Sequence, residues 1–462
     1  MLRFKPFEKQ DIPAVRPVLG GSEPICTKVL GVKYMWSDYT ETEIAAYEGG
    51  VIVKDRLFGE ELFALPRGEA REEGLRLIEE YVCRTGGELV FSSVDDEEYA
   101  FLASRYPVVE VKSHRDYADY LYLAEDMRTF AGKRFHGQRN HVNRFTHDYP
   151  NYVFSRFGKE ELPRIYAFLE EHKALAPRSK DELTEYDCCV RLLDAFDELD
   201  LCAAKIEVDG KIVAFSVGEV FNDTLIIHVE KALPSYNGVY PTMCTLFARE
   251  FSQGLTYINR EDDAGDPGLR VSKTQYHPVR MLDKRRVYCR ISRRFRMPPV
   301  FTRRLVLDDL TDRDLEDYVA LVTDDERNVY WGYDYKEDLG EDLADALHFA
   351  KGLLADKIRA VCYSYKIADL EGKFVGEAVI YNFRLDGSAE LGLRIVSAEK
   401  GKGYGREMYR AVSDALLPIF GRLHARCFKV NAPSKKMILA AGFTLAREDD
   451  TFYYFDRTET AE

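Results

Sequence analysis

The residues best suited to chemistry lie in one short run, Lys400-Gly401-Lys402-Gly403-Tyr404-Gly405-Arg406. Alternating glycines let the backbone curl, so that successive N–H groups turn inward. A helix starting directly behind them adds the partial positive charge of its N-terminus. Such a cradle suits a pyrophosphate, and Lys400, Lys402 and Arg406 surround it with positive charge. The run lacks the GxxxxGK[ST] order of a nucleotide phosphate loop, and it is not the GxGxxG of a dinucleotide fold. A plain flexible turn is the alternative.

A second polar group is split between two places. Glu230 lies in His228-Val229-Glu230-Lys231, and Asn259, Arg260, Glu261 and Asp263 follow a short apolar run. Asn259–Asp263 sits at the C-terminal end of a strand, where open α/β sheets keep their ligands. With Glu230 on the neighbouring strand, these carboxylates converge with His228, Lys231 and Arg260 on a site for an amine-bearing substrate. The competing reading is a structural ion-pair network. Asp266-Pro267 reads as a helix N-cap followed by proline at the first helical position. Lys133–Arg144 is basic with aromatics interleaved, a pattern that engages phosphates of tRNA, CoA or a headgroup, or simply faces solvent. The loop Ser235–Tyr240 has a single glycine and makes a poorer cradle than Lys400–Gly405.

These groups need a framework. Leu201–Val208 and Ile212–Val220 alternate as strands around the hairpin signal Asp209-Gly210. Strand Thr224–Lys231, helix Pro241–Ser252, strand Leu255–Asn259, a helix from Pro267 to Tyr276 and strand Arg285–Ile291 follow. After Met297-Pro298-Pro299, which halts regular structure, the order recurs. Strand Phe301–Leu307 and helices Asp312–Val322 and Glu337–Leu354 lead into it. Strands Val361–Ala368, Phe374–Phe383 and Ser388–Val396 precede the glycine loop. Helix Arg406–Leu417, strand His424–Val430, helix Ser434–Ala441 and strand Thr451–Asp456 complete it. In the first 125 residues the strands are Gly49–Val53, Glu61–Ala64 and Glu88–Ser92, with an amphipathic helix Glu69–Thr85.

The 462 residues exceed one compact core and suggest about three domains. A net charge of -14 argues against a chain built to coat nucleic acid. The nine cysteines form no CxxC pair, so they read as reduced thiols of a cytoplasmic protein, with no metal site. The start of the chain does not read as a signal peptide, and no apolar window is long enough to span a membrane.

Residues 301–462 resemble the GNAT superfamily of N-acetyltransferases, whose acyl-CoA loop reads Gln/Arg-x-x-Gly-x-Gly/Ala. Lys400–Gly405 fits, with Lys400 where Gln or Arg is usual. Thr302-Arg303-Arg304-Leu305-Val306-Leu307, Asn431-Ala432-Pro433-Ser434 and Gly442-Phe443 are similar to motifs of the ribosomal-protein acetyltransferases. The resemblance implies acetyl-CoA, or another acyl-CoA, as co-substrate and direct transfer to an amine. It implies Glu390 as base, N–H groups near Leu393 and Ile395 as oxyanion donors, and Asn431 and Ser434 as contacts to the cofactor. Asn431 reads equally well as a helix cap. The family's frequent tyrosine acid falls at Ile438, so Tyr404, Tyr409 or water would protonate the thiolate.

Residues 1–290 resemble the C-terminal domain of phosphatidylglycerol lysyltransferases, which carries two fused GNAT-like folds. The matching segments are Gly132–His141, His228–Lys231, Asn237–Tyr240, Ile258–Gly265 and Gly268–Tyr276. Members of that family move an aminoacyl group from aminoacyl-tRNA to a lipid headgroup. The expected architecture is therefore α/β with mixed sheets and three GNAT-like units, at 1–125, 126–290 and 301–462. The expected function is acyl transfer to an amine of a small molecule or protein. Aminoacyl-tRNA-dependent transfer by residues 1–290, or a substrate-binding role for them, is the alternative.

Overall fold

The computed structural model describes residues 2–85, 87–175, 180–331, 343–358 and 360–458. The chain divides into two compact units, Met1–Cys289 and Arg290–Glu462. Three mixed sheets result, two in the first unit and one in the second.

Each sheet is antiparallel except at one junction, where a helix carries the chain across to a parallel neighbour, because a parallel pair cannot be closed by a tight turn. In the first sheet β1 (Glu60–Phe63) and β2 (Leu89–Val94) are linked by α1 (Arg71–Thr85) and meet only at Phe63↔Phe91. In the second, β3 (Thr224–Ala232) and β4 (Tyr257–Asn259) are linked by α2 (Val239–Phe251). In the third, β5 (Ala389–Ile395) and β6 (Arg422–Phe428) are linked by α3 (Tyr404–Phe420). That last pair is joined only at Ala389↔Leu423 and Glu390↔His424, after which the strands part.

The recurrence extends to single residues. Gly218 and Gly376 lie on equivalent strands, and a Cβ on either would sit 2.2 Å from a carbonyl oxygen of the next strand, Ile226 or Arg394. Only glycine fits there. The second sheet packs on both faces, α2 against one and the helices Leu162–Lys173 and Lys180–Asp194 against the other, whereas the third sheet packs against α3. In the second unit Ala378, Ile380, Leu391, Leu393, Leu423, Ala425 and Phe455 meet Met408, Val412 and Leu416 of α3.

Within the first unit the two sheets are interleaved. Asp119–Leu123, which precedes residue 125, pairs in the second sheet, and Arg285–Cys289 returns to pair with Leu89–Val94 and Val108–Lys112 in the first. Three local readings differ from the structure. The expected strand Phe301–Leu307 is a hairpin, Val300–Phe301 against Leu305–Asp309, because Thr302 turns the chain and takes N–H bonds from Arg304 and Leu305. Thr444–Glu448 is a strand with every residue exposed, so it shows no alternation. The helix expected from Glu337 is described from Leu343 to Ile358; its first residues lie outside the described part.

The second unit contains a whole sheet and its own core, so residues 290–462 expressed alone should unfold in a single cooperative urea transition. A broad, non-cooperative curve would show that the unit borrows structure from the rest of the chain.

Candidate active site

All three junction helices are preceded by a glycine in the left-handed region, Gly68 (φ 80°), Gly238 (φ 82°) and Gly403 (φ 81°). Their surroundings separate them. The first turn of α1 carries Glu72 and Glu73, which repel an anion. At the second loop a Cβ on Gly238 would lie 2.1 Å from the His141 carbonyl oxygen, so the helix His136–Asp148 already occupies that space. The third loop is open. Among the described residues nothing lies within 4 Å of a Cβ on Gly401, and on Gly403 the nearest atom is an Arg304 nitrogen at 3.7 Å.

Gly401 (φ 82°) and Gly403 supply the backbone curl, whereas Gly405 serves packing. A Cβ on Gly405 would press on Met437 Sδ at 3.1 Å, where the helix Ala432–Ala440 crosses α3. Around the loop Lys402 pairs with Glu399 at 2.6 Å, Lys400 with Glu326, and Arg406 is exposed without a carboxylate partner among the described residues. Arg304, for which the sequence suggested no role, braces the loop. It donates to the Lys402 carbonyl at 2.9 Å, pairs with Glu407 at 2.6 Å and stacks 4.5 Å from the Tyr404 ring centre. Its only signal was the Thr302-Arg303-Arg304 motif.

Past Glu390↔His424 one edge of β5 has no strand partner among the described residues. The Leu391 carbonyl on that edge accepts from the Tyr409 hydroxyl at 2.8 Å. By the two-residue period Leu393 and Ile395 present their backbone groups on the same side. Glu390 sits at the point of divergence and is buried. It accepts from Tyr381 at 2.8 Å and Asn382 at 2.9 Å, and Arg426 lies 3.2 Å away. Burial and the Glu390 charge push the Tyr381 phenol well up. Tyr404, by contrast, opens α3 beyond the far end of β5, so it and Glu390 are not brought together. Asn431 caps the helix Ala432–Ala440 by accepting from the Ser434 N–H at 3.1 Å, the cap reading of that motif. Ile438 is core.

In the first unit the expected cluster separates into pairs. His228 is buried between two carboxylates, Nδ1 2.9 Å from Glu261 and Nε2 3.0 Å from Glu219. Burial alone would lower its pKa; the two carboxylates override it and raise the ring to about 9. Asp263 is enclosed by Arg270 at 2.8 Å, Arg115 at 3.2 Å and the Tyr120 hydroxyl at 2.5 Å. Despite burial these partners hold its carboxyl far below the usual range. Lys231 pairs with Glu185 at 2.7 Å. Asn259 donates to the Pro24 carbonyl at 2.7 Å and to Asp119 at 3.0 Å, and accepts from the Glu261 N–H at 2.7 Å. Glu230 and Arg260 meet at 3.0 Å, yet Glu230 Oε2 and Arg260 Nη1 are buried without partners. The trio Cys26, Asp119 and Asp262 is spaced as a metal site would be, but the Lys284 ammonium lies 2.7 Å from Asp119 and 2.5 Å from Asp262, supplying the cation itself.

The family described as phosphatidylglycerol lysyltransferase, C-terminal, matches residues 25–288, more than half of the chain. The chain belongs to that family. The lysyltransferase C-terminal match ends where the first compact unit ends, and an acetyltransferase (GNAT) domain matches residues 304–444 of the second. A conserved protein of unknown function from Bacteroides thetaiotaomicron is 27% identical, with a TM-score of 0.57 over 63% of this chain and 100% of its own. An uncharacterized protein of Mycoplasmoides gallisepticum is 23% identical over 39% of this chain. The chain spans 58% of the length of that curated relative. A GNAT-family acetyltransferase from Bacillus anthracis aligns at 17% identity over 35% of this chain and 98% of its own, TM-score 0.31. Among the described residues no helix is long and apolar enough to cross a membrane.

The raised His228 pKa fixes a pH dependence. The stabilisation from charging the buried ring is complete below the unfolded pKa near 6.5 and is lost as pH rises through about 9. It amounts to about 3 kcal/mol. The melting temperature of the first unit should fall between pH 6.5 and 9, and His228→Gln should be less stable at pH 6 and lose most of that slope. An unchanged slope would show that the ring is neutral.

Proposed function

We propose that the second unit transfers an acyl group, acetyl in the simplest case, from acyl-CoA to an amine. The observation that carries this reading is the open, basic cradle at Lys400–Arg406, set beside the other two junction loops, one acidic and one filled. Backbone N–H groups of Gly401, Lys402, Gly403 and Gly405, with Lys400, Lys402 and Arg406, take the pyrophosphate. The pantetheine arm lies along the unpaired edge of β5, where Leu393 and Ile395 offer backbone N–H groups to the arm and to the thioester oxyanion. Ser434 and the capping Asn431 line the other side. Glu390, held at the divergence by Tyr381, Asn382 and Arg426, attracts the ammonium and takes its proton. Tyr404 belongs to the cradle; the leaving thiolate takes its proton from water.

For the first unit a second reading rests on the unpartnered Glu230 and Arg260 atoms. Together they offer an acceptor for an amine and a donor for a carbonyl, as an aminoacyl group would require. The remainder of the cluster, Asn259, Asp263, Lys231 and the His228–Glu261 pair, is taken up in hydrogen bonds and ion pairs that fasten the second sheet to the segments around it. Either aminoacyl transfer or delivery of an amine-bearing substrate fits; a role for tRNA would fall to the exposed basic helix His136–Asp148. We place the protein in the cytoplasm.

Acetyl-CoA at about 100 times its Kd should stabilise the second unit by about 2.7 kcal/mol. Gly403→Asp, which puts a side chain and a negative charge in the cradle at a left-handed position, should abolish that shift. Unchanged calorimetric affinity in this variant would rule out the cradle as the cofactor site.

A further inference from the structure

The face of the third sheet opposite α3 carries a group of side chains that the core does not use. Along β5, Leu391 and Leu393 point to the core, leaving Glu390 and Gly392 on the other side. Along β6, Leu423, Ala425 and Cys427 are core, leaving Arg426 and Phe428. On the next strand, β7 (Phe452–Thr458), Tyr453 and Phe455 pack inward, leaving Phe452 and Tyr454. Cross-strand pairing sets Phe428 opposite Phe452 and Arg426 opposite Tyr454.

The rings form a continuous ledge. Phe428 and Phe452 have centroids 4.4 Å apart, Phe452 and Tyr454 6.1 Å, and Tyr330 extends the row at 5.8 Å from Phe428. Tyr330 is 44% exposed and the other three are half-buried, so apolar ring surface is left in water. Arg426 joins the ledge to the reacting end, its guanidinium 5.4 Å from the Phe452 ring and 3.2 Å from Glu390. Glu390 and Tyr381 engage only part of its five N–H groups, and the residue is exposed.

We propose that the acyl acceptor of this unit is an aromatic α-amino acid. The inference rests on the acyltransferase reading and deepens it. The ring lies on the ledge, the carboxylate takes the remaining Arg426 donors, and the amine is then directed to Glu390 where β5 and β6 part. The ammonium gives one proton to Glu390, the amine nitrogen forms a bond to the thioester carbonyl carbon, the carbon–sulfur bond breaks, and the second proton lost from nitrogen passes through water to the leaving thiolate. A polyamine would meet the Arg426 charge with no carboxylate to offer, and an aliphatic amino acid would leave the ledge wet.

The test uses the full chain with acetyl-CoA, following thiol release with L-phenylalanine, L-leucine, phenethylamine and spermidine. L-Phenylalanine should exceed each of the others in kcat/KM by about tenfold or more. Phe452→Leu should raise the KM for L-phenylalanine and leave that for acetyl-CoA unchanged. Arg426→Gln should bring L-phenylalanine and phenethylamine to near equality, and Arg426→Lys should restore part of the preference. Thermal melts of each variant confirm that it is folded. If L-leucine or spermidine is used as well as L-phenylalanine, or if Arg426→Gln leaves the preference intact, the proposal is overturned. If nothing is acetylated and L-phenylalanine gives no binding heat with CoA-saturated protein, it is equally overturned. Failure of acetyl-CoA to bind at all would instead remove the acyltransferase reading beneath it.

Discussion

One buried carboxylate holds the first unit together. Asp119 has no exposed surface and accepts from the Cys26 N–H at 2.7 Å, from Asn259 Nδ2 at 3.0 Å and from Lys284 Nζ at 2.7 Å. These partners come from the entry segment, from the end of β4 and from the link between the last strand of one sheet and the returning strand of the other. Removing Asp119 would leave the buried Lys284 ammonium with Asp262 as its one carboxylate partner among the described residues and would free the Cys26 N–H and the Asn259 amide in a protein interior. The same ammonium fills the gap between Asp119 and Asp262. The polar cluster of this unit is thus mostly framework, and among its described residues the Glu230–Arg260 pair has buried side-chain atoms without a partner.

In the second unit the controlling geometry is the parting of two strands. Two residue bridges join β5 to β6, and α3 meets the helix Ala432–Ala440 at Gly405 and Met437. The parting leaves a backbone edge at one end of β5 and the Glu390 cluster at the other. Arg304 braces the loop from outside through the Lys402 carbonyl, leaving the inner face of the cradle clear.

Much of this was legible in the sequence where burial imposes a period. Lys211–Phe221, Thr224–Ala232 and Phe374–Tyr381 were readable because their side chains alternate or are continuously buried. Thr444–Glu448 was not, since all its residues face water. The cradle was visible from its glycines, yet its availability was not, because the equivalent loop at Gly238 is filled by a helix about a hundred residues earlier in the chain. Glu261 was expected to converge with His228, and the two do pair, but Glu219, which holds the other ring nitrogen from a third strand, was not foreseen. Local spacing does not encode such cross-strand choices. The interleaving of Asp119–Leu123 and Arg285–Cys289 is the same kind of fact: strand patterns mark where strands are, not which sheet receives them.

That interleaving has a consequence for how the chain comes off the ribosome. Strand Leu89–Val94 pairs with Arg285–Cys289, so the first sheet cannot close when its own sequence has been made. At roughly 5–20 residues per second the intervening stretch takes on the order of ten to forty seconds to translate. Throughout that interval the edge of Leu89–Val94 is an open template, with Val90 and Phe91 in place for pairing with any extended chain nearby. Slow synthesis after residue 94 lengthens the exposure, and early termination makes it permanent. The first sheet is therefore completed only after the strands of the second have been made, and Arg285–Cys289 is the strand that closes its open edge.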